Sequence, residues 1–212
     1  MSENNTYGRV LLINGSPHKE GSTYRALCEV KTTLEAEGIE CELVNVGKMI
    51  VPGCQGCYAC GKLGKCAIDD IVNELAEKFK EADGIIVGSP VHYASPAGAL
   101  VAILDRLFYS SRFDKSMKIG AAVVSARRAG TTASFDVLNK YFTISGMPVV
   151  PSNYWNNVHG NSATDCECDG EGLQCMRTLA RNAAFLIKSI KLGVKEYGLP
   201  QREKKIRTDF IR

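Results

Sequence analysis

The chain has 212 residues, enough to bury one sizeable core without covalent staples. Hydrophobic residues make up 45% and charged residues 23%, a balance that excludes disorder as the governing feature. The 26 Lys and Arg exceed the 23 Asp and Glu by three, too small a surplus to point to nucleic acid.

No apolar run approaches the roughly 20 residues of a membrane span. The polar start MSENNTYGR lacks the apolar core of a signal peptide. The expectation is a cytoplasmic protein with no membrane partner. Nine cysteines, an odd number, then suggest metal, cluster or redox chemistry rather than a disulfide framework.

In chain order, residues 10–13 form a short apolar run that ends at Asn14-Gly15. Residues 23–37 place Leu27, Val30 and Leu34 at helical spacing, and Gly38 can close that helix. Ile39, Cys41 and Leu43 alternate with Glu40 and Glu42, as in a half-covered strand. After a cysteine segment, Asp69 or Asp70 can cap a helix with Ile71, Leu75 and Phe79 on its apolar face. Residues 84–89 read as a buried strand. Residues 96–110 read as a helix with Leu100, Ile103, Leu104 and Leu107 on one side. A strand at 119–125, a helix at 134–145 and a last strand at 147–150 follow. A long helix at 171–191 carries Met176, Leu179, Ala183, Leu186 and Ile190. Five βα units in succession predict an α/β fold with a parallel sheet covered on both faces. No linker divides residues 1–212, so one domain is expected. It carries insertions at 47–69 and 152–170 and a basic tail at 193–212.

Such sheets bind ligands beyond the carboxyl ends of their strands. The first strand runs into Asn14-Gly15-Ser16-Pro17-His18-Lys19-Glu20-Gly21-Ser22-Thr23, and a helix starts there. Free N–H groups, hydroxyls and a positive helix end are the parts of a phosphate cradle. A turn capped by Ser22 or Thr23 is the plainer reading. The loop is neither a P-loop nor a G-x-G-x-x-G fingerprint. The third strand ends in Ser89-Pro90-Val91-His92-Tyr93-Ala94-Ser95-Pro96, a stiff loop able to present an aromatic ring to a flat ligand. The fourth ends in Ser125-Ala126-Arg127-Arg128-Ala129-Gly130, a polar loop with two arginines.

Together the stretches VLLINGSPHKEGST and IIVGSPVHYASPAGALVAILDR and the ending RTDFIR resemble the flavodoxin-like NADPH-dependent FMN reductases, and within them the iron-sulfur flavoproteins. The resemblance implies a doubly wound five-stranded parallel sheet of order 2-1-3-4-5. It implies FMN with its phosphate on Ser16, His18, Gly21, Ser22 and Thr23. The isoalloxazine would lie against Pro90, Val91, His92 and Tyr93, flanked by Ser125, Arg127 and Gly130. His18 stands where Arg or Lys is more usual, so phosphate affinity would fall as pH rises.

Cys54, Cys57, Cys60 and Cys66 lie within 13 residues, among Gly53, Gly56, Gly61 and Gly64. Compact spacing of this kind suits one loop wrapping a cluster. Structural zinc more often joins two separated knuckles. A redox disulfide and plain reduced thiols are the other readings. The spacing also looks like the iron-sulfur flavoprotein motif, which implies a [4Fe–4S] cluster. Cys28 and Cys41 are expected as buried thiols, and Cys166, Cys168 and Cys175 as incidental thiols of a loop. Trp155 is expected as a loop anchor or interface residue.

Three functions follow from these readings. One is an FMN-dependent oxidoreductase passing electrons from NAD(P)H or a reduced protein donor to a quinone, flavin or other small acceptor. No side chain is then required as catalytic acid or base. The second is an iron-sulfur electron carrier with ferredoxin as donor. The third is a non-enzymatic binding module with a structural metal. By resemblance the tail implies a homodimer or homotetramer. No nucleic-acid partner is expected.

Overall fold

A computed structural model describes residues 6–208 and residue 210. Residues 1–5 of the polar start, and residues 209, 211 and 212 of the RTDFIR ending, lie outside the described residues.

The strands are β1 (Gly8–Asn14), β2 (Ile39–Asn45), β3 (Gly84–His92), β4 (Ser95–Pro96), β5 (Ile119–Ala126) and β6 (Asn157–His159). The helices are α1 (Ser22–Ala36), α2 (Cys60–Leu63), α3 (Ile71–Glu81), α4 (Gly98–Ser110), α5 (Thr131–Ile144), α6 (Ala163–Glu167) and α7 (Gly170–Tyr197). The parallel strands run β2-β1-β3-β5-β6, which is the expected 2-1-3-4-5 order once β4 is set aside. β4 adds a sixth strand through a short antiparallel hairpin with β3.

Alternation along β1 sends Val10 and Leu12 into one core and Leu11 and Ile13 into the other. The first core is closed by α1 and α7, through Leu27, Leu34, Met176 and Ala183. The second is closed by α3, α4 and α5, through Phe79, Leu104 and Phe142. β5 is buried along its whole length, and burial on both faces explains why it runs apolar up to Ser125 rather than alternating.

The last strand departs from expectation. Residues 147–150 make only a bridge, Val149 to Gly120. The Gly120 N–H donates to Pro148 O, and the Val150 N–H to Gly120 O, each at 2.9 Å. Pro151 has no N–H to continue the ladder. The chain swings out and rejoins β5 at Asn157, opposite Val124. The 152–170 insertion therefore contains the second half of the fifth parallel strand. The Asn156 amide donates to Val150 O at 3.3 Å across the excursion.

Two cysteine assignments also change. Cys28 and Cys41 are only partly buried, whereas Cys166 of α6 and Cys175 of α7 are core residues. Burial pushes the Cys166 thiol up to about 11 and the Cys41 thiol up to about 12. α7 runs past residue 191 to Tyr197, and the described residues beyond it are exposed. Arg202 of the tail pairs with Asp114 at 3.2 Å. Among the described residues no helix is long and apolar enough to cross a membrane.

Candidate functional site

The carboxyl ends of β1, β3 and β5 carry the three loops expected to matter. The loop after β1 is wound by its own side chains. Asn14, fully buried, donates to Asn45 Oδ1 at 2.8 Å, and its Oδ1 accepts the Ser16 N–H at 3.1 Å. The Ser16 hydroxyl oxygen accepts the His18 N–H at 3.1 Å. These successive Asx and Ser turns curl the chain into the start of α1. Gly21 caps that helix without a side-chain bond, and no carboxylate stands in its first turn. A 15-residue helix thus points an uncapped positive end outward from the sheet. Oriented N–H groups of this kind receive a phosphate without any rearrangement of charge.

The hydroxyls of the loop are not equivalent. Ser22 donates to the carbonyls of Gly160 and Ser162, at 3.1 and 2.8 Å, and so fastens α1 to the segment after β6. Thr23 and Ser125, both buried, share a 2.7 Å hydrogen bond that ties α1 to the end of β5. Ser16 is buried, while His18 is exposed.

The β3–β4 hairpin turns at Tyr93 and Ala94, whose φ values are 51° and 56°. Two positive-φ residues make the tight turn that fits the strand twist, normally filled by Asn-Gly. Tyr and Ala adopt that geometry at a cost, and such strain collects at ligand sites. The Tyr93 ring is fully exposed, and His92 is exposed beside it. The Ser89 hydroxyl accepts the Ala97 N–H at 2.9 Å and stiffens the loop's base. Pro90 and Val91 are half-buried. Gly130, at φ 91°, lies so close that a Cβ there would sit 2.9 Å from both Val91 Cγ1 and Ala94 Cα. The second and third loops therefore abut through Gly130. Arg127 is exposed at their rim.

The cysteine insertion joins this end of the sheet at Gly47. A Cβ on Gly47 would fall 2.1 Å from Ser16 O, so only glycine lets the insertion start against the β1 loop. Cys54, Cys57, Cys60 and Cys66 all line one cavity of about 30 Å³, with Tyr58, Ile68, Arg106 and Tyr109. Cys54 and Cys57 are exposed, and Cys60 is buried. As they stand, no three His, Cys, Asp or Glu side chains among the described residues converge closely enough to hold a metal ion. The donor set itself, four thiols from one loop, has the chemistry of iron–sulfur ligation.

Sequence reasoning missed Arg106. It is 1% exposed on α4, between the apolar positions Ile103 and Leu107. Its Nη1 and Nη2 grip Asp70 at 2.7 and 2.9 Å. Nε and Nη2 each donate to Cys66 Sγ at 3.3 Å, Nη1 also donates to Pro52 O at 3.2 Å, and Ile68 O lies 3.1 Å from Nη2, so the five N–H groups serve six contacts and one Nη2 hydrogen is shared. Burial pushes the Asp70 carboxyl up, but the Arg106 guanidinium and the Val72 N–H outweigh it and hold it below its ordinary value. Asp70 also caps α3 through Val72. The signal in the sequence was an arginine on an apolar helix face, which requires a buried partner.

Trp155 packs edge-on against Tyr154 with ring centroids 4.7 Å apart, and both are exposed. A separate groove of about 430 Å³ lies at the amino ends of the strands, lined by Asp83, Lys118 and Lys191 among others. None of the predicted site residues lines it.

Sheet order and site placement define a flavodoxin-like α/β protein. A sequence model of the NADPH-dependent FMN reductase family matches residues 9–162, and the chain belongs to that family. It is a flavin-dependent oxidoreductase with FMN as cofactor. It is 35% identical over 195 residues to an iron-sulfur flavoprotein of Methanocaldococcus jannaschii, covering 86% of this chain and 99% of the relative. Among solved structures, RosB with a bound riboflavin-5'-phosphate derivative aligns at TM-score 0.71 and 17% identity, covering 96% of this chain and 92% of that one. A flavodoxin from the domain Archaea aligns at TM-score 0.58 and 16% identity, covering 85% and 99%. These last two likenesses concern the fold alone.

Proposed function

We propose that the protein binds FMN across the carboxyl ends of β1, β3 and β5, and passes electrons from a reduced donor to a small acceptor. The observation that carries this reading is the uncapped start of α1, which faces outward beside two loops joined at Gly130. The α1 N–H groups and the Ser16 hydroxyl hold the phosphate. The strained hairpin sets Tyr93 and His92 against one side of the ring, and the Ser125 to Gly130 segment closes the other. Thr23 and Ser125 position one another and keep α1 in register with β5. FMN supplies electron and hydride transfer when bound, and the protein orients it and excludes water. The donor is NAD(P)H or a reduced protein such as ferredoxin. The acceptor is a quinone, a flavin or another small oxidant. Exposed Ile206 and Phe210 on the tail serve assembly into a homodimer or homotetramer.

A second reading is favoured by the cavity that all four cysteines line. In it Cys54, Cys57, Cys60 and Cys66 hold a [4Fe–4S] cluster, and the protein works as an iron-sulfur electron carrier. The relatives named iron-sulfur flavoproteins support it.

The test is an anaerobic preparation with FMN, iron and sulfide counted on the same sample. FMN with four irons and four sulfides supports both readings. FMN without iron leaves the reductase and removes the carrier. No flavin after reconstitution would overturn the first reading. Within it, Ser16→Ala and Tyr93→Ala should each weaken FMN binding by roughly tenfold, about 1.4 kcal/mol.

A further inference from the structure

Cys66 differs from its three companions in how it is held. The Asn73 side chain clamps its backbone from both sides: Asn73 Oδ1 accepts the Cys66 N–H at 3.1 Å, and Nδ2 donates to Cys66 O at 3.2 Å. Its sulfur accepts two N–H groups of Arg106, each at 3.3 Å. Arg106 is itself fixed by the fork on Asp70, and the fork rests on the start of α3. Cys60 has one weaker approach of this kind, from Arg112 at 3.9 Å. Bonds within the chain fix Cys54 and Cys57 far less, as both are exposed in a segment without regular structure.

A planar guanidinium anchored on a carboxylate is a rigid donor, so its bonds to sulfur are made before any metal arrives. N–H groups on a ligating thiolate withdraw electron density from it. Such bonds favour the reduced, more negative state of a cluster and raise its potential. The net charge of the Arg106–Asp70 pair is zero, so the directed N–H···S bonds, not a bare positive charge, do this. We propose that Arg106 is a positioning residue of the cysteine site: it presets Cys66 Sγ as the fixed ligand and raises the potential of the cluster bound there. The inference rests on the iron-sulfur reading above.

The experiment is a redox titration of anaerobically reconstituted full-length protein, followed by electron paramagnetic resonance, with iron, sulfide and FMN counted. Two variants are compared with the parent chain. Arg106→Lys keeps the charge and loses the fork. The double variant Arg106→Met with Asp70→Asn removes both charges together and keeps a side-chain cap on α3. With full iron, both should have a lower cluster potential. The double variant should shift the oxidised-to-reduced ratio at fixed potential by tenfold or more, about 59 mV for one electron. The FMN potential should stay where it is. Unchanged cluster potentials at full iron would overturn the inference and leave the iron-sulfur reading intact. A parent chain that takes up FMN and no iron would overturn both.

Variants that lose the cluster altogether would move the test to the parent chain. Its Fe–S(thiolate) stretching bands, by resonance Raman, should differ between protein reconstituted in H2O and in D2O, because deuterium replaces the donated protons. Identical bands would overturn the inference.

Discussion

The flavin end and the cysteine insertion are built on opposite plans. Backbone architecture makes the flavin end: buried strands deliver three short loops to one edge, and a 15-residue helix supplies the charge. In the insertion, residues 47–57 have no regular structure, and one buried arginine from another element gathers Pro52, Cys66, Ile68 and Asp70. The first region should keep its architecture when any single side chain is lost, with affinity alone reduced. The second should come apart with Arg106.

Arg106→Ala breaks that comparison most sharply. It strands Asp70 and two carbonyls and should cost about 3–5 kcal/mol. Hydrogen exchange should accelerate across residues 47–69, with the sheet and FMN binding preserved. Exchange that rises equally in β1 and β5 would show that the two regions are not separable. Gly47→Ala probes the seam between them. Its Cβ collides with Ser16 backbone, so about 1–3 kcal/mol should be lost along with FMN affinity. Denaturant midpoints and flavin titration read both.

At the flavin end, Thr23→Val leaves the buried Ser125 hydroxyl without its partner and should cost about 1–2 kcal/mol. FMN affinity should fall because α1 loses its tie to β5. Unchanged affinity would make that bond purely structural.

Farther from both regions, Glu29 of α1 bonds Arg25 at 2.9 Å and Arg177 of α7 at 2.5 Å. Burial pushes its carboxyl up, but the two arginines outweigh that and hold it below its usual 4.5. A depressed folded value stabilises the protein fully above pH 4.5 and stops doing so as pH falls through the folded value. Glu29→Gln should therefore lose about 1 kcal/mol at neutral pH and show a shallower acid transition. Urea midpoints across pH 3–7 would measure it.

β1, β3 and β5 were legible because burial on both faces leaves apolar runs, and β2, at the sheet edge, because its apolar residues alternate with glutamates. The start of α3 was legible to within the choice of Asp69 or Asp70, since a short acceptor side chain before an apolar face is a local signal; Asp70 holds the cap. The split of the fifth strand was not. Asn157-Val158-His159 is too short and polar to show a period, and its pairing with Val124 is a long-range contact. The β4 strand was hidden for a related reason, because Tyr93-Ala94 does not look like a tight hairpin turn.

By itself the sequence determined the α/β alternation, the loops that end β1, β3 and β5, and the clustering of four cysteines. Each is a property of neighbouring residues, set by side-chain period, turn chemistry or spacing. Only the tertiary structure decided that Gly47 presses the insertion onto the first loop, that Thr23 meets Ser125, and that Cys166 and Cys175 are core thiols. It also decided that Arg106 reaches Cys66. These contacts join residues tens of positions apart, and helix packing against a shared sheet fixes such distances where local chemistry cannot.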